Sequence, residues 1–374
     1  MKIATRLPAL AALLLAPGLS MAADMDGSTL SVAWAIPFAG ILLSIALMPL
    51  LMPIFWHHHF GKVAAAWGLL FLVPFALTFG PAAAGAGFTH ALMAEYIPFI
   101  VLLTALFTVA GGIHIRGNLH GSPGLNTAIL AIGAVLASMM GTTGASMLLL
   151  RPLIRVNDNR KHRTHVFVFF IFIVSNVGGS LTPLGDPPLF LGFLKGISFF
   201  WTLQHIWPET LFMVGSLLAL FYAMDTWAYR KEGVMRVDPT PDTRRLGFDG
   251  AVNFWLLGAV IALVLMSGLW KSSVEFNVWG TPVGLPGLLR DIGLVVITLV
   301  SLRITPAGVH EDNQFSWGPM QEVAKLFAGI FLTIIPVIAM LRAGKEGPFG
   351  AVVSLVTNPD GSPNPAMYFW ATGV

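Results

Sequence analysis

The chain has 374 residues, of which 56% are hydrophobic and only 10% are charged, and its mean hydropathy is +0.78. A typical soluble domain carries roughly 25% charged residues, so this composition excludes a soluble enzyme or nucleic-acid-binding domain and predicts a protein surrounded by lipid. The formal charge of +3 is concentrated in a few loops, and the absence of cysteine excludes disulfides and thiolate metal sites.

Residues 1–22 have the pattern of a secretory signal peptide. Lys2 and Arg6 give a basic start, an apolar run follows, and Ser20 and Ala22 are the small residues that a signal peptidase recognises. We expect cleavage after Ala22, which would leave the mature N-terminus outside the cell. An uncleaved first span is the alternative, although two prolines in this stretch disfavour a long helix.

Several later stretches are apolar and long enough to cross a bilayer, which needs about 20 residues in a helix. They cover residues 32–55, 63–80, 92–113, 206–228, 251–270, 286–302 and 320–341. The segments between them include a loop at 56–62, in which we expect the consecutive histidines His57, His58 and His59 to lie at the membrane interface.

Segment 124–156 has two interpretations. A single crossing would place Arg155 and the basic residues after it on the opposite side of the membrane from Arg116. A re-entrant hairpin with its break at 141–144 returns both ends to one side. With the hairpin and an outside N-terminus, every strongly basic loop lies in the cytoplasm, as the positive-inside rule requires. We therefore predict the hairpin.

This topology divides the chain into a first transmembrane unit over 32–228, a basic cytoplasmic loop over 229–250 and a second transmembrane unit over 251–374. The first unit also contains an interrupted apolar segment, 165–195, which we interpret as a broken helix. The interruption is the sequence SNVGGSLTPLGDPP, residues 175–188. Irregular backbone at membrane depth occurs only where it lines a cavity or is buried in protein.

The two interruptions supply the candidate binding residues. Their hydroxyl, amide and carboxylate oxygens suit Na⁺, Li⁺ or a proton, whereas half-helix N-termini would favour an anion such as a carboxylate. Asp186 is expected to cap the half-helix that begins at Pro187, and an ionisable residue at membrane depth is usually functional. Alternatively, Asp186 only caps the helix near the membrane interface. Asn176 and Thr182 could likewise only form hydrogen bonds to the backbone groups that the break leaves without partners. The candidates are Ser175, Asn176, Gly178, Gly179, Thr182, Asp186, Thr142 and Thr143.

An internal similarity suggests a repeat. Gly121-Ser122-Pro123 and Gly361-Ser362-Pro363 precede similar apolar runs at the same spacing, and the predicted topology places the two copies in opposite orientations. Inverted repeats are typical of secondary transporters, although chance similarity in a glycine-rich chain is the alternative. Because the sequence stops within the apolar run 366–374, we expect a C-terminal truncation that removes a second hairpin and a second broken helix.

These motifs resemble the ion transporter superfamily, and within it the sodium:proton antiporter branch of NhaD-like and arsenite-pump-like proteins, which includes proteins labelled as citrate transporters. Segment 175–193 resembles the first broken helix of that family, 139–155 its cytoplasmic hairpin, and 315–336 the helix that opens its second half. The resemblance implies an inverted-repeat transporter with a midplane site. It places Asn176, Thr182 and Asp186 at an ion site, with Thr142 and Thr143 at the hairpin tip, and suggests a homodimer.

The resemblance is incomplete at the hairpin tip. Many antiporter relatives carry an Asp-Asn pair where this chain has Gly141-Thr142, and the carboxylate transporters carry a Ser-Asn-Thr tip that is absent here.

Three further acidic residues lie in or beside the predicted spans. Glu322 and Lys325 share one helix face, so they form either an ion pair or, for Glu322, part of a proton route. We expect Glu95 and Glu209 to lie near outer helix ends and to be solvated.

The sequence therefore predicts an all-α polytopic protein of a bacterial-type inner membrane that works as a secondary transporter. Na⁺ (or Li⁺)/H⁺ antiport is the leading hypothesis, with Asp186 binding the cation and the proton alternately. A cation- or proton-coupled citrate or dicarboxylate carrier is the alternative. No HExxH motif, cysteine or convincing Ser/His/Asp set indicates an enzyme. The expected partners are the lipid bilayer and a small cation or carboxylate, with no nucleic acid, no cofactor and no metal beyond transported Na⁺.

Overall fold

The computed structural model describes residues 26–117, 119–233 and 247–373. The predicted signal peptide and residues 234–246 of the predicted basic loop lie outside these residues. In the described part of the chain, eight helices are long and apolar enough to cross a membrane, and a bent helix pair adds a ninth candidate. The predicted class, an all-α polytopic membrane protein, is confirmed.

Two compact units can be distinguished, and the first comprises residues up to 97, 276–283 and those from 318 onward. Its core contains Phe71 and Phe75, whose rings meet Trp34 edge to face. Several of its helices begin with proline in the first turn, where the missing N–H costs no hydrogen bond. After 3₁₀ turns at Gly27–Thr29 and Val32–Ala35, the helices are α1 (Ile36–Leu51), α2 (Pro53–Phe79), α3 (Pro81–His90), a π-helical segment (Ala91–Tyr96), α13 (Gly318–Thr333), α14 (Ile335–Arg342), α15 (Gly350–Leu355) and α16 (Pro365–Gly373).

The second unit comprises residues 98–275 and 284–317. Its antiparallel strands β1 and β2 pair Ile115 with Phe248, and an Arg116–Asp249 ion pair of 2.9 Å joins the two strands diagonally. Its elements are α4 (Ile97–Gly111), β1 (His114–Arg116), α5 (Pro123–Val156), α6 (Thr164–Ile173), a 3₁₀ segment (Val177–Leu181), α7 (Pro187–Leu194), α8 (Trp201–His205), α9 (Trp207–Lys231), β2 (Gly247–Asp249), α10 (Val252–Leu269), α11 (Leu285–Ile304) and α12 (Ala307–Asp312). Strands β3 (Glu275–Val278) and β4 (Thr281–Gly284) form a second small sheet.

Four details differ from the sequence-based expectations. The histidines His57–His59 lie within α2 rather than in a loop, because the helix already begins at Pro53. Helical backbone also replaces the expected loop at 81–91. Glu95, expected to be solvated, is only 7% exposed. The span predicted at 320–341 is bent by 41° between α13 and α14, where Pro336 interrupts the helical hydrogen bonding.

Candidate functional site

Helix α5 folds back on itself at Gly141. This glycine has φ +80° and ψ +153°, a backbone conformation that is essentially restricted to glycine. The two ends of α5 lie side by side: the side-chain amides of Asn126 and Asn157 exchange two hydrogen bonds of 2.9 Å. A continuous helix of this length would separate them by roughly 50 Å. Segment 123–156 is therefore a helical hairpin with its tip at Gly141.

The segment after α6 is broken in two places. Helical backbone stops at Ile173, resumes as a 3₁₀ turn over Val177–Leu181, and resumes as α-helix only at Pro187. Gly179 and Gly185 approach each other so closely that a Cβ on Gly185 would overlap the carbonyl of Gly179. Glycine at both positions permits the chain to reverse tightly within the membrane-spanning region.

The hairpin tip packs directly on this break. The backbone N–H of Thr142 donates to the carbonyl of Gly185 at 3.1 Å. A Cβ on Gly179 would lie 2.7 Å from the methyl carbon of Thr142. Below the tip, the Ser138 hydroxyl donates to the carbonyl of Gly178 at 2.5 Å, and the Thr182 hydroxyl donates to the carbonyl of Ser138. The two interruptions therefore form one contact region.

Several candidate residues serve the broken backbone. Thr182 also accepts the backbone N–H of Leu184 at 3.2 Å, so its hydroxyl links the first hairpin arm, at Ser138, to the irregular backbone after the 3₁₀ segment. The Ser175 hydroxyl lies 2.8 Å from that of Ser146 on the second hairpin arm. Gly178 is buried against Ala134 of the first arm, where a Cβ would lie 2.8 Å from the Ala134 Cα. These contacts hold the region together without needing a bound ion.

The remaining polar candidates are exposed. Thr143 at the tip, Asn176 at the first break and Asp186 at the second break all have solvent-accessible side chains. The Asn176 amide donates to the carbonyl of Ile171 at 3.0 Å, which leaves its own side-chain oxygen as an available acceptor. Three oxygen-bearing side chains at the two interruptions are thus directed away from the protein interior.

Asp186 occupies the N-cap position of α7, as expected, but its carboxylate forms no capping hydrogen bond. The first turn of α7 needs no such cap, because Pro187 and Pro188 have no N–H. The next two N–H groups, of Leu189 and Phe190, donate to the backbone carbonyl of Asp186 at 3.1 and 3.3 Å. This half-helix therefore offers no N–H donor to an anion, which corrects the expectation from the sequence.

A buried polar cluster that the sequence analysis missed closes the base of the hairpin. We name Asn126, Asn157, Arg160, His165 and Asp225 the basal cluster. The Asp225 carboxylate accepts from the Arg160 guanidinium at 2.6 Å and from the Asn126 amide at 2.9 Å, and it lies 2.8 Å from the His165 ring. The side chains of the Arg160–Asp225 pair are 0% exposed. The first hairpin end is thus bonded to α9 through Asn126, the second is linked to α9 through Arg160, and His165 of α6 contacts the same carboxylate.

The signal for this cluster was present in the sequence. Asp225 is an acidic residue inside the predicted span 206–228, and an acid at such a position requires a partner. Its partner Arg160 was counted only as a loop charge that indicated orientation.

Two asparagines hold the end of α4 in the same unit. The Asn253 amide donates to the Gly112 carbonyl at 2.8 Å, and the Asn313 amide donates to the carbonyls of Gly111 and Ile113 at 2.8 Å. The side-chain oxygen of Asn313 also accepts from Nδ1 of the His114 ring at 3.0 Å. They satisfy carbonyls that a helix end leaves without partners.

Glu322 and Lys325 do not form the expected ion pair in the part of the chain that the structure describes. The Lys325 ammonium instead lies 5.3 Å from the centre of the Phe60 ring, and Glu322 is half-buried on α13. No group of three His, Asp or Glu residues suited to a metal ion occurs among the described residues.

The two copies of the Gly-Ser-Pro motif differ in local structure. Ser122 caps the hairpin by accepting the N–H of Leu125 at 3.2 Å. In the second copy the cap is Asn364, which accepts the N–H of Met367 at 3.1 Å, while Ser362 bonds to Asp360. The inverted repeat therefore stays a prediction.

Comparison with known proteins identifies the family. A family model described as "Putative citrate transport" matches residues 27–374. Two curated proteins, each described as an uncharacterized transporter and found in Mycobacterium bovis and Mycobacterium tuberculosis, are 26% identical over 286 residues. These alignments cover 67% of this chain and 64% of each relative, so the chain spans less than two thirds of their length. No solved structure matches. Since the family match covers nearly the whole chain, this multi-pass membrane protein belongs to that citrate transport family.

Proposed function

We propose that this chain contributes a cation-binding half-site to a secondary transporter that moves a citrate-like carboxylate together with the cation. The observation that carries the proposal is the contact between the hairpin tip and the broken helix, beside which Thr143, Asn176 and Asp186 expose their oxygens. Broken helices in transporters hold coupling ions near the bilayer midplane. The family description supplies the carboxylate as substrate class.

The chemistry of the break favours a cation there. Asp186 supplies a carboxylate, and Asn176 and Thr143 add neutral oxygens of the kind that small inorganic cations prefer. The first turn of α7 has no N–H group left for an anion. The carboxylate substrate would therefore need other donors, and the cation would be the ligand of this half-site.

Na⁺ (or Li⁺)/H⁺ antiport without a carboxylate is the second candidate. The same observation favours it, because a half-helix without free N–H groups is unsuited to an anionic substrate. In this mechanism Asp186 exchanges Na⁺ for a proton, and Glu322 on α13 belongs to the proton route. The inner membrane as location, an outside N-terminus and a homodimer belong to both proposals.

One assay separates the two candidates. The purified protein is reconstituted in proteoliposomes that contain a pH-sensitive dye, and uptake of labelled citrate is measured with and without a Na⁺ gradient. Coupled transport gives Na⁺-dependent citrate uptake, whereas antiport gives a Na⁺-evoked pH change that citrate does not affect. In both cases Asp186→Asn abolishes the signal, and Glu209→Gln, on the exposed first turn of α9, leaves it intact. Absence of both signals in the wild type would refute the proposed function.

A further inference from the structure

Arg290 is a basic residue inside a candidate membrane span that neither proposed mechanism uses. It lies in α11, roughly one and a half turns after that helix begins, and is only 4% exposed. A guanidinium does not lose its charge in a protein, so this arginine keeps a positive charge among apolar residues. Ionisable residues in such places are costly and usually serve a function.

The partners of Arg290 use only part of its guanidinium. Nε donates to the carboxylate of the neighbouring Asp291 at 2.7 Å. Nη1 has a single contact, with the hydroxyl of Ser267 on α10, and at 3.5 Å this contact is too long for a strong hydrogen bond. Nη2 donates to no group in the described part of the chain, and it is not fully enclosed. Nη2 is therefore available to a further acceptor, and Nη1 is held only weakly.

The guanidinium lies beside the half-helix that follows the break. Its central carbon is 5.6 Å from the centre of the Phe190 ring of α7. Phe190 comes one helical turn after Asp186, and its N–H bonds to the carbonyl of Asp186 at 3.3 Å. Helix α10 reaches the same half-helix, since a Cβ on Gly268 would lie 2.6 Å from the Phe193 ring. The guanidinium is thus placed about one helical turn along α7 from the proposed cation ligand Asp186.

We propose that Arg290 binds a carboxylate group of the transported substrate, next to the cation at Asp186. A guanidinium binds a carboxylate through two parallel N–H donors, and Nη1 and Nη2 can supply them while Asp291 anchors Nε. Arg290 thereby supplies the donors that the first turn of α7 lacks. This inference rests on the proposed carboxylate transport and names the residue that selects an anionic substrate.

The placement also accounts for coupling. A carboxylate between the guanidinium and a bound cation interacts favourably with both positive charges. Binding of either ligand then raises the affinity for the other by the same factor, as linkage requires. We therefore expect Na⁺ to tighten citrate binding in the wild type.

The first test measures citrate binding to the purified full chain by isothermal titration calorimetry in the presence of Na⁺. Arg290→Lys keeps the positive charge beside Asp291 but loses the planar pair of donors. Its affinity for citrate should fall at least tenfold, with Tm and Na⁺ binding in the absence of citrate unchanged. Arg303→Gln, in the exposed last turn of the same helix, is the matched control and should bind citrate as the wild type does. Wild-type citrate affinity in folded Arg290→Lys would overturn the inference.

The second test separates binding from a structural role of the ion pair. Asp291→Asn removes the carboxylate that competes with citrate for the guanidinium, so this variant should bind citrate more tightly than the wild type. A structural role would instead weaken binding in both variants. Citrate binding that is weakened or unchanged in Asp291→Asn would overturn the inference.

Failure of the proposed function has a different signature, because the wild type would then bind neither Na⁺ nor citrate. A wild type that binds Na⁺ but not citrate would keep the cation half-site and overturn only the role of Arg290.

Discussion

The charges of Arg160 and Asp225 neutralise each other at the base of the hairpin. Both side chains are fully buried, the Asn126 amide donates to Asp225, and the Arg160 guanidinium donates to the side-chain oxygen of Asn157. The Arg160 Nε has no hydrogen-bond partner and lies 3.8 Å from the Glu232 carboxylate. A buried ion pair contributes little net stability compared with apolar residues, but removing one partner leaves an uncompensated charge. The pair is therefore a sensitive point for the attachment of the hairpin to α9.

Replacing Asp225 by asparagine should destabilise the protein strongly. The change keeps the size of the side chain but removes the carboxylate that accepts from the buried Arg160 guanidinium, leaving only Glu232 at 3.8 Å. Breaking a buried pair in this way costs about 3–5 kcal/mol in comparable cases. We expect a clear fall in Tm, measured by thermal unfolding in detergent. Glu209→Gln serves as the matched control, because Glu209 lies exposed on the same helix. Equal Tm values for Asp225→Asn and the wild type would contradict the role of the pair.

Glu232, which lies just outside the candidate span Trp207–Lys231, makes the stability of the protein depend on pH. Partial burial works to raise the pKa of its carboxyl, but the backbone N–H groups of His162 and Lys161 and the charge of Arg160 outweigh burial and lower that pKa below its usual value. A lowered pKa in the folded state means that the stabilisation is complete above the unfolded pKa of about 4.3 and is lost as the pH falls through the folded value.

Comparing the Tm of Glu232→Gln with that of the wild type over a pH series tests whether this stabilisation is lost on acidification. The wild type should have the higher Tm at neutral pH, and the difference should shrink as the pH falls below about 4. A difference that grows on acidification would show that the carboxylate is not stabilised in the folded state.

At the scale of elements, the contact between the hairpin and the broken helix depends on residues without side chains. Gly141 adopts a backbone conformation closed to other residues, and Gly179 and Gly185 permit backbone atoms to meet. The hydroxyls of Ser138 and Thr182 then replace the helical hydrogen bonds that the break removes. Small residues and hydroxyls together make an irregular backbone tolerable inside the membrane.

Gly185→Ala should separate the hairpin tip from the break. The new Cβ would collide with the carbonyl of Gly179, which cannot move aside as a flexible side chain could. We expect transport to fall at least tenfold with a lowered Tm. Gly215→Ala is the matched control, since it lies in α9 with nothing within 4 Å of the added carbon. There, replacing a helical glycine should stabilise by at most about 1 kcal/mol. Similar behaviour of the two variants would refute the tight contact.

Much of this arrangement could be predicted from local sequence. Apolar runs indicated the spans, the glycines of 141–144 indicated the first interruption, and the glycines and prolines of 175–188 indicated the second. The sequence did not indicate that the Asp186 side chain makes no capping hydrogen bond. It makes none because the two prolines have no N–H and the N–H of Leu189 already bonds to the backbone carbonyl of Asp186. The pairing of Arg160 with Asp225 joins residues 65 positions apart, which no local pattern reports.

Two local predictions are wrong for different reasons. Consecutive histidines in an apolar chain favour a loop, yet α2 begins at Pro53 and continues through them with His57 and His58 exposed. The prediction that Glu95 is solvated is wrong because its segment packs on α13, a tertiary contact that the composition of one helix does not indicate.

At the scale of the whole molecule, the apolar composition appears as an apolar surface. Large side chains such as Leu77, Phe212 and Trp255 are more than 70% exposed, which is expected where lipid rather than water surrounds the helices. The buried charges Arg160 and Asp225 are paired in the basal cluster, whereas Thr143, Asn176 and Asp186 at the two interruptions of the second unit have exposed side chains. These exposed oxygens are the basis of the cation site proposed above.

The most direct test of the central claim is Na⁺ binding to the purified protein by isothermal titration calorimetry, without any transported substrate. We predict saturable Na⁺ binding in the wild type and in Glu209→Gln, and its loss in Asp186→Asn, whose folding is checked by an unchanged Tm. Undiminished Na⁺ binding by folded Asp186→Asn would contradict the assignment of the cation to the broken helix.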